Sequence, residues 1–251
     1  MSTYKTKVIE LFGLPRTGKT SSSKALFKWF QNQGFRVLII HERVAKSKGI
    51  SKLDPMYNYD TAKAFIEKYL WAENNGYDYV IVDRGLLDAL VWIEALSIIN
   101  PYHTLNSDYR KEIKKIAIQM RIKFAFFFKT DISTAIIRDG IRDSSKQTGT
   151  IMNEKVLSAY LDAFENVKSE LKSIQPNIVE LDTTRISLEE TFRFLIKYIS
   201  SSREHIIQSK HKTNFRKRKS IHARDNIQRR RNHVIPKTGT KNASSLAKDS
   251  I

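Results

Sequence analysis

Gly13, Leu14, Pro15, Arg16, Thr17, Gly18, Lys19 and Thr20 follow the spacing G-x-x-x-x-G-K-[ST], a pattern whose chemical use is to wrap the phosphates of a nucleotide. Glycines let the backbone curl, while successive N–H groups and the positive end of the following helix meet negative charge. Pro15 has no N–H to offer, so the cradle should draw on Thr17, Gly18, Lys19, Thr20 and Ser21. Lys19 is expected to reach the β- and γ-phosphates of ATP, and the Thr20 hydroxyl to ligate Mg²⁺. The bland alternative is a glycine-bearing turn with a chance Lys-Thr; at average glycine usage it arises in roughly one chain of this length in a hundred. A second signal is Tyr79–Asp83 (YVIVD), an apolar run that ends in a carboxylate. Many strands end in Asp at a turn, but beside a phosphate loop Asp83 is a candidate to hold Mg²⁺ directly or through water.

Such groups need a scaffold that brings strand ends together. Lys7–Phe12 reads as a buried strand, and the helical spacing of Ala25, Leu26, Trp29 and Phe30 follows the loop. Further strands are expected at Arg36–Ile40, Tyr79–Val82, Phe124–Phe128 and Asn177–Leu181. Helices are expected at Thr61–Asn74, Leu86–Ile99, Asp108–Gln119, Ile132–Arg138, Glu154–Ile174 and Leu188–Ile199. Strands alternating with helices imply right-handed βαβ units and a parallel five-stranded sheet with helices on both faces, the three-layer α/β fold of P-loop NTPases.

The 251 residues suffice for one such domain with an appended segment. The absence of cysteine removes disulfides, thiolate metal sites and Cys nucleophiles. No apolar run approaches the roughly 20 residues of a membrane span, and the start lacks a signal-peptide pattern, so a cytoplasmic protein is expected. Charge is uneven: residues 203–251 carry 14 Lys and Arg against 3 acids, eleven of the eighteen net positive charges. The reading is therefore a domain over 1–202 and a basic, disordered C-terminal tail over 203–251.

The run FGLPRTGKT, the pair Glu42-Arg43 after the second strand, the pair Asp83-Arg84 after the third, and the polar stretch from Arg138 together resemble the thymidylate kinase and deoxynucleoside kinase group of P-loop kinases. The resemblance covers about residues 7–200. It implies transfer of a phosphoryl group from ATP with Mg²⁺ to a nucleoside, a nucleotide or a similar small acceptor, with a homodimer among the possible assemblies. It implies that Arg16 stabilises the transferring group, that Asp83 sits near the metal or an acceptor hydroxyl, that Arg84 holds acceptor phosphate or the transferring group, and that Glu42 serves as base toward an acceptor hydroxyl, a solvated Glu at a strand end being the competing account. It also implies a lid around 138–152 in which Arg138 and Arg142, four apart on one helical face, reach toward the donor. A charged solvated helix is the competing account of those arginines, because Asp139 and Asp143 share the spacing. Pro15 stands where thymidylate kinases carry an acid, and Gly85 follows Asp83-Arg84 where the family has an aromatic, Ser or His. Both departures point away from thymidylate itself.

Phe65, Tyr69, Trp71 and Trp92 are candidates for stacking on a base, with core packing the commoner fate of such residues. Phe126–Asp131 (FFFKTD) contains no Asn-Lys-x-Asp guanine reader. The clusters Arg216–Lys219 and Arg229–Arg231 suit phosphate backbones, so non-specific nucleic acid is a possible partner of the tail, as are an anionic membrane and a localisation receptor. That keeps two other functions open, a polynucleotide-end kinase and a nucleic-acid-associated or defence ATPase. Retention on heparin at low salt by the full chain, and not by a chain ending at Ser202, is the expected result; equal retention removes the tail as the cause.

Overall fold

The computed structural model describes residues 6–42, 53–101, 106–120, 122–142 and 151–202. The chain divides into two units, Met1–Ile199 and Ser200–Ile251; the tail clusters from 203 onward lie outside the described residues.

The strands are β1 (Lys7–Gly13), β2 (Val37–His41), β3 (Tyr79–Asp83), β4 (Ile122–Lys129) and β5 (Ile178–Asp182). All pair in parallel, in the order β2-β3-β1-β4-β5. The helices are α1 (Lys19–Asn32), α2 (Pro55–Asn74), α3 (Leu86–Ile99), α4 (Asn106–Met120), α5 (Ile132–Arg142), α6 (Glu154–Ile174) and α7 (188–202). The expected fold class is thus the observed one.

β1 lies at the centre because its residues tolerate burial on both faces. Its alternation divides the core. Val8 and Phe12 join the cluster built by α2, α3, α4 and α6, while Ile9 and Leu11 join Leu26 and Phe30 of α1 and Leu195 and Ile199 of α7 on the opposite face. Glu10, between Val8 and Phe12 in the alternation, therefore points toward α3. Phe127 and Phe164 stack with ring centroids 3.5 Å apart, and each fully buried side chain of this kind stabilises the fold by roughly 1.5–3 kcal/mol. α3 is apolar nearly all round, and packing against α2, α4 and α6 explains why.

The strand-to-helix order fixes which ends meet. Every strand's carboxyl end lies on one edge of the sheet, and β1 sits at the reversal point, with neighbours β3 and β4 drawn from opposite directions of winding. Gly13 ends β1 at φ 123°, and a Cβ there would fall 2.1 Å from the Phe128 carbonyl oxygen. Only glycine lets the loop leave β1 so close to β4.

α2 begins six residues before the expected Thr61, because the Asp54 side chain caps it by accepting from Met56 N and Pro55 opens its first turn. The polar residues of that turn hide the periodicity. Phe65, Tyr69 and Trp92 are core residues, whereas Trp71 is 52% exposed. The middle of the expected lid, 143–150, lies outside the described residues; α5 carries its first part through Arg142.

Candidate functional site

α1 starts at Lys19 with Gly18 at its N-cap, in left-handed conformation at φ 90° and with no side-chain cap. The N–H groups of Thr17, Gly18, Lys19, Thr20 and Ser21 donate to no acceptor among the described residues; the first helical bond is Ser22 N to Gly18 O, at 2.9 Å. The loop thus presents the uncapped positive end of a helix at the carboxyl edge, the arrangement that receives phosphate. Arg16 also adopts a left-handed backbone, φ 59°, which is uncommon outside glycine and concentrates at functional turns.

Lys19 is buried and folds over the loop, donating from Nζ to Gly13 O at 2.9 Å, to Leu14 O, and to Thr17 Oγ1 at 3.2 Å. Burial first, and the nearby Arg84 guanidinium second, push its ammonium down to about 7. A polyphosphate bound here would restore the charge, because it supplies the counter-charge that burial withholds. Above pH 7, MgATP binding should therefore take up a proton, and affinity should fall as pH rises. Calorimetry at pH 8 in two buffers of different ionisation heat is expected to give net proton uptake on nucleotide binding. No uptake would show that Lys19 keeps its charge without ligand.

Thr20 Oγ1 donates to Asp83 Oδ2 at 2.5 Å, so the two metal candidates converge from the loop and from β3. His41 Nδ1 lies 3.6 Å from the same carboxylate oxygen. A hydroxyl and a carboxylate side by side form the hard oxygen donor set that Mg²⁺ takes alongside phosphate oxygens. The residues present fit that ion.

Arg84 adopts φ 69° in the turn after β3, fixed by Arg84 N donating to Leu11 O at 3.0 Å. Its buried guanidinium pairs with Glu42 Oε2 through Nε and with Asp88 Oδ2 through Nη1, each at 3.3 Å, and lies 6.0 Å from the centre of the Trp92 ring. Burial opposes that charge, but Glu42 and then Asp88 outweigh it and hold the group above its already high ordinary value. Asp88 Oδ1 accepts from Gly13 N at 3.2 Å and from the Tyr160 hydroxyl at 2.6 Å. Asp88 therefore ties the first glycine of the loop to Arg84 and to α6. Burial, with Asp88 next, raises the Tyr160 phenol well above its usual range, so it remains a donor.

Arg16 Nε donates to Asp139 Oδ1 at 2.5 Å, bringing α5 onto the loop. The side chain of α5 that meets the loop is thus Asp139, which is 8% exposed, rather than Arg138. Arg138 turns to the end of β5, with Nη2 donating to Thr183 O at 2.8 Å and Thr184 O at 3.4 Å. The expected arginine face toward the donor is therefore occupied differently: neighbouring residues of a helix point about 100° apart, and the sheet edge takes one while the loop takes the next. Arg142 closes α5, and nothing is described of its side chain.

Two grooves flank these residues. One, of about 230 Å³, is lined by Ser21, Ser22, Ala25, Leu188, Glu189 and Phe192. The Leu188 side chain lies over Gly18, where a Cβ would sit 2.7 Å from its Cδ2. The other, of about 680 Å³, runs from Thr130 and Asp131 between α5 and α6, on the far side of β4 from the metal candidates.

The sequence alone does not mark Glu10, Asp88 or Tyr160, and it places Asp139 only on a charged, solvated helix face. Glu10 left one signal, a carboxylate inside a buried run; Asp88 and Tyr160 sit in helical patterns where a polar residue is ordinary.

The family model described as "AAA domain" matches residues 8–173, about two thirds of the chain. The chain belongs to that AAA-domain family. The match spans β1 through most of α6, so the phosphate loop, Asp83-Arg84 and Asp139 all fall within the family region. Among solved structures, the chain is similar to deoxyadenosine kinase from M. mycoides, described with products dCMP and a flexible dCDP bound, with a TM-score of 0.56 and 16% sequence identity. That likeness covers 77% of this chain and 99% of the other, and it establishes the P-loop α/β architecture. Comparison with curated proteins yields no sequence match. Among the described residues no helix is long and apolar enough to cross a membrane.

Proposed function

We propose that this AAA-domain protein transfers a phosphoryl group from ATP to a small acceptor of the nucleoside or nucleotide class. The observation that carries the proposal is the convergence, on one sheet edge, of an uncapped helix start with Lys19, a Thr20–Asp83 oxygen pair, and a buried guanidinium paired with Glu42. A plain ATPase needs the first two; a buried cation beside an adjacent carboxylate is what a second, anionic or hydroxylic substrate requires. The likeness to a deoxyadenosine kinase structure is consistent with this acceptor class.

In this reading the loop N–H groups and Lys19 bind the donor phosphates, and the apolar groove beside Leu188 and Phe192 receives the base. Thr20 and Asp83 would hold Mg²⁺, which supplies charge neutralisation between donor oxygens. Arg16, Lys19 and Arg84 surround the transferring group with positive charge from three directions, the main requirement of phosphoryl transfer. Glu42 accepts the proton of an acceptor hydroxyl; if the acceptor is already a phosphate no base is needed, and Glu42 then orients Arg84. The Arg16–Asp139 pair gives α5 a grip on the loop.

Incubating the protein with γ-labelled ATP, Mg²⁺ and a panel of nucleosides, nucleotides and oligonucleotides tests the proposal. Label on a small acceptor supports it. Label on an oligonucleotide end replaces it with the polynucleotide-end reading, for which the basic tail is the motive, and release of free phosphate alone replaces it with the ATPase reading.

A further inference from the structure

Glu10 is fully buried in the middle of the central strand, where a carboxyl group is costly to place. Its Oε1 accepts from Gly85 N at 3.1 Å and from Asp88 N at 3.0 Å. Gly85 is the N-cap of α3 and has no side chain to satisfy the first turn. The cap comes instead from a neighbouring strand, and the two residues it ties down lie directly after and four after Arg84. The same contact accounts for Gly85: a Cβ there would fall 2.9 Å from Glu10 Cδ and 3.0 Å from Glu10 Oε2. Glycine follows Asp83-Arg84 in this chain because a carboxyl group fills the space.

We propose that Glu10 is a positioning residue for the acceptor side of the site: by capping α3 across the sheet it holds Arg84 and Asp88 in register, and so governs acceptor affinity rather than ATP affinity. The inference rests on the phosphotransferase reading above. It draws on separate contacts from those of the donor loop, since neither hydrogen bond of Glu10 goes to residues 13–21. The titratable groups that interact with the carboxyl are Asp88 on α3 and Tyr160 on α6, and Asp88 carries the contact onward to Arg84; the strand neighbours in register, Val82 and Ala125, are apolar. Burial, reinforced by Asp88, pushes the Glu10 carboxyl up to about 8, although the nearby backbone N–H groups of Asp88, Leu87 and Gly85 oppose the rise. The cap is accordingly neutral at pH 7 and leaves Arg84 to Glu42, Asp88 and the acceptor. When it ionises, a second negative charge stands beside Asp88, the partner of Arg84, and disfavours an anionic acceptor there.

The test uses the full chain with Glu10→Met and Glu10→Gln, saturating MgATP so that Lys19 stays charged, and a range of acceptor concentrations from pH 6 to 9. Glu10→Met, which keeps the volume and loses the acceptor atom, should lower acceptor kcat/KM by about 30-fold while the MgATP Kd moves by less than about 3-fold. Glu10→Gln retains a carbonyl oxygen for both N–H groups and should rescue most of that loss at pH 7. It should also abolish the fall in acceptor kcat/KM that the unchanged protein shows as pH rises through about 8. Equal damage to MgATP and acceptor by Glu10→Met, a Gln variant no better than Met, or an alkaline limb that survives in Glu10→Gln would each overturn the inference. If Glu10→Met does not fold, the pH profiles of the unchanged and Gln proteins decide alone. Absence of transfer by the unchanged protein would instead remove the phosphotransferase reading, and this inference with it.

Discussion

Lys19→Ala is expected to lower turnover by at least about 10³-fold on every acceptor, because it removes the one side-chain cation buried inside the loop itself. The substitution removes three hydrogen bonds from the loop, to Gly13 O, Leu14 O and Thr17 Oγ1, so some loss of loop order accompanies the loss of charge. Those acceptors are a carbonyl pair and a hydroxyl, not carboxylates, so no buried anion is left without its partner. The protein should remain folded, and a thermal melt in the absence of nucleotide should change little. Stabilisation by MgATP should shrink sharply, since a ligand raises stability only in proportion to its affinity for the folded state. Residual turnover above about a tenth of the parent value would mean that this loop does not carry the chemistry. Such a result would remove the donor site and leave the acceptor network unexplained.

Arg84→Ala should produce the second largest effect, and one of a different kind. Acceptor kcat/KM should fall by about 10²-fold or more, whereas MgATP affinity should change only a few-fold. Arg84 is the shared partner of Glu42 and Asp88, and both carboxylates lose their cation when it goes. Removing one member of a buried ion pair typically costs about 3–5 kcal/mol, so the alanine variant should also melt at a clearly lower temperature. Arg84→Lys separates the two consequences. Lysine returns a positive charge to the cluster and much of the stability, but it cannot bridge two carboxylates with the fixed fork of a guanidinium. A lysine variant that is stable and still poor toward the acceptor would assign Arg84 to substrate handling. One that is stable and fully active would limit its role to neutralising Glu42 and Asp88. Normal transfer by the alanine variant would refute the role altogether.

The two effects differ in physical origin. Lys19 sits on the donor side, folded back onto loop carbonyls, and its charge responds to the ligand. Arg84 sits on the acceptor side, held charged by two carboxylates that are present whether or not a substrate is bound. The first is a responsive cation and the second a permanent one. Asp88 joins them mechanically, accepting from Gly13 N at one oxygen and from Arg84 Nη1 at the other. Removal of the Asp88 carboxylate itself should therefore be felt on both sides of the site.

What the sequence by itself determined is whatever depends on local order along the chain. A buried run ending in glycine, five variable or glycine positions and Lys-Thr must make a strand, a loop and a helix start, because the conformations and donors needed are supplied by residues that are neighbours in sequence. The alternation of strands and helices likewise required a parallel sheet, since a parallel pair needs a crossover that only an intervening helix supplies. Asp83 was legible for the same reason: the residue at the end of a buried strand lies at the sheet edge wherever the strand is placed. The start of α2 was not, because its cap at Asp54 precedes a turn without apolar period.

The tertiary structure alone decided which side chains meet across elements. Nothing local indicates that Asp139 rather than Arg138 faces Arg16; that follows from the rotation of α5 about its axis, set by how its apolar residues pack. Nor does any local pattern reveal that Glu10 caps α3, or that Asp88 and Tyr160 close a network around Arg84. The Arg16–Asp139, Glu10–Gly85, Glu10–Asp88 and Asp88–Tyr160 partners are separated by between 72 and 123 residues. Sequence spacing carries direction only within an element, and the sheet order β2-β3-β1-β4-β5 is what brings β1, the β3 turn and α6 side by side. A carboxyl group buried in the central strand became intelligible only once its neighbour across that sheet was known to be a glycine without room for a side chain.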